Sequence, residues 1–140
     1  MDLREIHNRF FSFRNGIVAK TFHDAGSPHA RIFGLQLPQL GAIAREAGYD
    51  EKLARQLWSE NDCREARLLA CYLFDPETIT EEEALEMAKG VVSREEADIL
   101  SWRLLRRMPE APRLLGNLEQ LPEPPLGGYM AEALKRNLDV

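Results

Sequence analysis

Apolar residues recur at helical spacing along almost the whole chain. Leu3, Ile6, Phe10, Phe13 and Ile17 predict one helical segment over roughly 2–24. Ala25-Gly26-Ser27-Pro28 stops it, and Gly16 inside it marks a kink or a close approach. His29 to Gln36 reads as a loop. Pro38 suits a first helical turn, and Leu37, Leu40, Ile43, Ala44 and Ala47 form a stripe that halts at Gly48. Asp50 reads as the N-cap of the next helix, whose buried face is Leu53, Ala54, Leu57 and Trp58. The stretch 62–74 is apolar almost all round after its first turn, which predicts a helix sandwiched between neighbours. Asp75-Pro76 reads as a cap and a first-turn proline. Thr80 with Glu83 and Ser93 with Glu96 match capping boxes that open helices over 80–89 and 93–107. Pro109 starts a further helix to about Leu121, weakened at Gly116 by about 1 kcal/mol relative to alanine. LPEPPLGG reads as a linker, and Tyr129 to Leu138 as a short terminal helix.

No pair of alternating runs is joined by a hairpin turn, so strands are not expected. After residue 37 the repeating unit is a helix pair of roughly 35–40 residues, within the range of HEAT and armadillo repeats. The expected fold class is therefore all-α, an α-α superhelix of the HEAT/armadillo-like solenoid kind, with an irregular helical bundle as the structural alternative. With 140 residues the chain suits one domain over 1–140, of which 122–140 is linker and terminal helix. A composition of 44% hydrophobic and 29% charged residues excludes overall disorder.

Net charge is −5, which argues mildly against non-specific nucleic-acid binding, but its distribution changes the picture. Residues 59–98 carry 12 acidic and 4 basic side chains, whereas 1–58 carry 8 basic and 6 acidic and 99–140 carry 6 basic and 5 acidic. A localised basic surface is compatible with that pattern. Cys63 and Cys71 lie eight apart on one predicted helix, about 12 Å, too far for a disulfide. Three scattered histidines and two distant cysteines show no ligand spacing, so neither metal nor cofactor is expected. The start, MDLREIHNRFFSF, lacks a continuous apolar core and is not expected to be a signal peptide. No stretch reaches the roughly 20 apolar residues of a membrane span. The expected location is the cytoplasm.

Three segments are more specific. Arg31-Ile32-Phe33-Gly34-Leu35-Gln36-Leu37-Pro38-Gln39-Leu40 resembles the F-G-[hydrophobic]-x-[hydrophobic]-P-x-[LR] entry of the DNA alkylation repair family. Leu57-Trp58 followed by Glu65-Ala66-Arg67-Leu68-Leu69-Ala70 resembles that family's L-W…[HR]-E-[AV]-R-x-[LA]-A. Ser93 to Asp98 falls where the family has S-W-D-x-x-D. The resemblance runs in order from about residue 5 to about residue 115. It implies a solenoid of HEAT-like repeats whose concave basic face binds duplex DNA. In active members it implies hydrolysis of the N-glycosyl bond of alkylated purines.

Such chemistry needs few parts. An N3- or N7-alkylated purine is cationic and leaves readily, building positive charge on the deoxyribose. A carboxylate beside the sugar stabilises that state and can orient a water. Flat aromatic walls attract the cation and exclude solvent. The resemblance puts the catalytic carboxylate at Asp98. Where the family often has tryptophan, four residues earlier, this chain has Arg94. The family's further arginine and tryptophan site residues belong to later repeats, beyond the matching stretch. Arg94 is a candidate phosphate contact at a helix N-terminus. Arg103, Arg106, Arg107 and Arg113 form the densest basic cluster, a candidate phosphate-contacting strip.

Each candidate has a plainer reading. Asp98 pairs with Arg94 across one turn. The arginine cluster is a solvated helix face. Arg67 makes a structural ion pair with Glu65 or a neighbouring carboxylate. Trp58 and Trp102 are core packing. His7, His23 and His29 are surface or cap residues. Cys63 near a helix N-terminus is a weak nucleophile candidate with no matching base, and Cys71 is core. Two functions follow. The first is binding of duplex DNA with alkylated purines, with or without their excision. The alternative is a catalytically inactive helical-repeat scaffold whose partner is another protein or a second copy of the chain. The acidic middle favours the second and Arg103–Arg107 the first. If 122–140 leaves the last helices uncovered, an apolar face stays open for dimerisation.

Overall fold

The computed structural model describes residues 1–139, and every helix-length element among them is α-helical, with no β-strand. The helices are α1 (Leu3–Ser12), α2 (Gly16–Asp24), α3 (Leu37–Ala47), α4 (Glu51–Ser59), α5 (Arg64–Leu73), α6 (Glu81–Lys89), α7 (Arg94–Arg103), α8 (Ala111–Glu119) and α9 (Tyr129–Leu138). They fall into two units, Met1–Phe74 and the residues from Asp75 onward. The all-α expectation holds.

In the first unit the single helix expected over 2–24 is two helices. Asn15 adopts an extended conformation and its side-chain oxygen accepts from the amides of Ile17 and Val18. A side chain that caps the backbone competes with helix continuation. The Asn15 amide meanwhile donates to the Phe33 carbonyl at 2.8 Å. Asp50 caps α4 as expected, accepting from the Leu53 amide at 3.0 Å. α5 packs against α4 and α3, and Arg64 to Cys71 are all buried. The sandwiched helix is therefore where its apolar pattern puts it.

Buried with it is the Glu65 carboxylate, fully excluded from solvent. It accepts from three successive amides of the loop: Phe33 at 2.9 Å, Gly34 at 3.1 Å and Leu35 at 3.3 Å. Arg64 Nη1 donates to it at 2.7 Å and to the Leu35 carbonyl at 2.8 Å, while its guanidinium lies 3.8 Å from the Phe22 ring centroid. The structural partner of Glu65 is thus Arg64 rather than Arg67. Gly34 has φ +90°, and a Cβ there would sit 2.2 Å from the Asn15 carbonyl oxygen, so no larger residue fits. Arg67 instead stacks 3.5 Å from the Trp58 ring centroid and donates to the Trp58 carbonyl at 3.2 Å.

In the second unit, Thr80 and Ser93 cap α6 and α7 through their hydroxyls, each accepting at 3.1 Å from the amide three residues on. The buried Glu96 reaches back one residue past its cap, accepting from the Val92 amide at 3.1 Å. Asp75-Pro76 opens a turn rather than a helix, with the Thr78 and Ile79 amides donating to the Asp75 carbonyl. The helix expected over 93–107 ends at Arg103. Leu104 leaves helical geometry at φ −125°, ψ −63°, and Leu105–Arg107 form a 3₁₀ turn. Leu104 and Leu105, at that break, are both fully buried. Pro125–Gly128 forms a tight turn in which Leu126, Gly127 and Gly128 all have positive φ. It feeds α9 onto α7 and α8, with Met130, Ala133 and Leu134 fully buried. The chain's own last helix thus packs on that face.

Replacing Glu65 with alanine should destabilise the protein by about 3–5 kcal/mol, the cost of leaving a buried charge and several donors unpaired. Urea unfolding followed by circular dichroism measures it. A loss below about 1 kcal/mol would mean that this carboxylate does not pin the loop.

Candidate functional site

Ser93 fixes the start of α7, and the i, i+4 spacing then brings Arg94, Asp98 and Trp102 onto one helix face. Asp98 does not pair with Arg94. Tyr129 Oη donates to Asp98 Oδ1 at 2.8 Å, and Arg136 Nη2 donates to the same oxygen at 3.3 Å and to Tyr129 Oη at 3.3 Å. The Asp98 side chain stays 47% exposed. Arg94 turns to the Tyr129 ring, 4.8 Å from its centroid, and Arg136 approaches the same ring at 5.4 Å. The hydrogen bond that Arg136 donates to the Tyr129 oxygen, and beyond it the Asp98 carboxylate, hold the Arg136 guanidinium above its ordinary value. Asn137 Nδ2 donates to Ser101 Oγ, a further tie between α9 and α7.

Trp102 is 41% exposed, which corrects the core-packing reading. The Arg106 guanidinium lies 3.7 Å from its ring centroid, and Arg106 Nε donates to the Trp102 carbonyl at 2.7 Å. That bond satisfies one of the carbonyls left open where α7 ends. Arg103 closes α7, while Arg106 and Arg107 sit in the following turn, so the three do not share a continuous helix face. Partial desolvation, and after it the charges of Arg107 and Arg103, hold the Arg106 guanidinium below its ordinary value. Arg113 is committed elsewhere, to Glu81 on α6, at 2.9 and 3.0 Å from its two carboxylate oxygens.

The structure thus brings Arg94, Asp98 and Trp102 together on α7 and sets Arg103, Arg106 and Arg107 at its end. Tyr129 and Arg136 are the members that sequence reasoning missed. Their spacing of seven residues is two helical turns and puts them on one side of α9, but it does not say which helix they meet.

The remaining candidates have structural roles. His7 Nε2 lies 2.8 Å from Glu60 Oε2. His29 is buried rather than a surface residue, its Nδ1 3.2 Å from the Asn61 carbonyl. Trp58 is half-buried under Arg67. Cys71 is core, as read, with its thiol against the Arg67 carbonyl. Cys63 is the N-cap residue of α5, yet burial pushes its thiol up to about 11, which opposes nucleophilic use. Among the described residues no group of three or more His, Cys, Asp or Glu is placed to hold a metal ion. No helix among them is long and apolar enough to cross a membrane.

The chain matches the DNA alkylation repair enzyme family over residues 6–122. No curated protein and no solved structure is significantly similar to it.

The native Cys63 thiol keeps a proton that the unfolded chain, with a value near 9.0, gives up first. Cys63 therefore contributes stability below about pH 9 that is lost as pH rises through about 11. Iodoacetamide at mildly alkaline pH should label Cys63 at the rate of unfolding. Labelling as fast as that of a free peptide thiol would contradict the burial argument.

Proposed function

We propose, from the premise that this chain belongs to the DNA alkylation repair enzyme family, that it binds DNA bearing cationic alkylated purines through the arginine-bearing surface of its second unit. Asp98 is the carboxylate assigned to the lesion's sugar. The observation that supports this reading is the half-exposed Asp98 one helical turn from the exposed Trp102, with Arg136 bonded to the first, Arg106 stacked on the second, and Arg103 and Arg107 beside them in sequence at the end of α7. Excision needs a carboxylate that solvent and substrate can reach and cations for the phosphates.

In the step itself the C1′–N bond breaks and both its electrons go to the purine, which leaves neutral. A water oxygen bonds to C1′ and its proton passes to solvent. Asp98 stabilises the sugar cation between those events by proximity, without accepting a covalent bond. Tyr129 and Arg136 both donate to Oδ1, which orients the carboxylate through one oxygen. The second reading, a catalytically inactive scaffold, draws on the same contacts. A carboxylate already satisfied by a tyrosine and an arginine of its own chain has less charge to offer a sugar cation. The arginine in place of the expected aromatic at position 94 points the same way.

Release of 3-methyladenine or 7-methylguanine from alkylated duplex DNA separates the two. Excision predicts release above background by wild type and a fall of at least 100-fold in Asp98→Asn, on the order of 2.7 kcal/mol of lost transition-state stabilisation. Equal background release from both leaves the scaffold reading. Binding read independently at two salt concentrations should weaken steeply with salt. Its log–log slope should shrink by about 1 for each of Arg103, Arg106 and Arg107 replaced by glutamine.

A further inference from the structure

An exposed tryptophan is costly to leave in water, and the one on α7 carries an arginine guanidinium on its ring. Trp102 keeps 41% of its area exposed although it follows the fully buried Ser101. Its indole is faced by a planar cation, the Arg106 guanidinium, 3.7 Å from the ring centroid. Arg107 is the next residue, exposed in the same turn. A tryptophan face and adjacent guanidiniums, with no acid among the residues from Ile99 to Pro109, match a planar aromatic that carries negative charge. A nucleotide has that chemistry, since every base has a π face and every linkage a phosphate.

We infer that Trp102 and Arg106 form a stacking platform for an unpaired nucleotide, with Arg107 meeting its phosphate. The inference rests on the nucleic-acid reading above and narrows it to a class of substrate. In an intact duplex both faces of each base are already stacked, so the indole gains nothing without unstacking. In single-stranded or locally unpaired DNA a face is available. The base then exchanges with the Arg106 guanidinium, because base–aromatic stacking exceeds an exposed cation–π contact. The released guanidinium is left beside the phosphate attached to that base. Arg106 also stays tethered through Nε to the Trp102 carbonyl, which limits how far it moves. The platform thus adds to Asp98 a preference for damaged sites where pairing has failed.

Intrinsic fluorescence tests this in the full chain, with a short oligothymidylate, the corresponding duplex and polyglutamate as probes. Trp58 lies under Arg67 in the first unit, so quenching by a stacked base should come from Trp102. The oligothymidylate should quench and should bind more tightly than the duplex. Trp102→Leu should weaken that binding by about 5- to 160-fold, the range for one base–aromatic stack. Trp102→Phe, which keeps a ring, should retain most of it, and matched melting curves exclude a folding defect. If polyglutamate binds as well as the oligonucleotide, or Trp102→Leu binds both DNA forms like wild type, the platform is wrong while the charged surface stands. If neither DNA form binds, the nucleic-acid reading falls and takes this inference with it.

Discussion

The first unit depends on one buried anion. Glu65 has no solvent, so its carboxylate must be satisfied from within the protein. The three amides of Phe33, Gly34 and Leu35 and the guanidinium of Arg64 do this. Successive amides converging on an anion form a concave site of the kind proteins use for phosphates, here filled by the chain's own carboxylate. The consequence runs outward. The loop before α3 is held against α5, the Phe33 carbonyl receives the Asn15 amide, and Asn15 in turn separates α1 from α2. Gly34 is required because the Asn15 carbonyl occupies the space of any Cβ. Without the anion the amides of Phe33, Gly34 and Leu35 would lose their shared acceptor, and the entry to α3 would rest on the Gln36–Gln39 capping box and the Asn15–Phe33 bond alone.

That constraint explains why two distant segments carry the family resemblance. Phe33-Gly34 and Arg64-Glu65 are the two halves of one contact, whose bonds span 32 and 31 residues along the chain. Leu57-Trp58 and Arg67 are joined similarly, by a stack and a hydrogen bond. The motifs by which the chain resembles its family in this unit are therefore architectural. They tie segments of the fold to one another. Chemistry is argued in the second unit, where the resemblance is thinner and the aromatic expected at position 94 is an arginine.

There the deciding interaction is between α7 and α9. The positive φ values of Leu126, Gly127 and Gly128 turn the chain so that Tyr129 and Arg136 reach Asp98. A tyrosine hydroxyl and one guanidinium, Arg136, fix the carboxylate, while Arg94 and Arg136 both face the tyrosine ring. Two guanidiniums thus lie near this carboxylate on a chain whose net charge is −5, so bulk charge says little about the groups at one position.

Sequence by itself determined the helical class, most helix starts and the sandwiched α5. These follow from local rules: capping residues, proline and glycine placement, and a 3.6-residue apolar period. It also singled out the Glu65 and Asp98 segments. Tertiary structure alone decided what those segments do. It paired Glu65 with Arg64 rather than Arg67, split the first helix at Asn15, and ended α7 before Arg106. It left Trp102 in solvent and brought Tyr129 and Arg136 to Asp98. Each outcome depends on which surfaces meet across tens of residues, and a periodic pattern states that a face is buried or polar without stating against what.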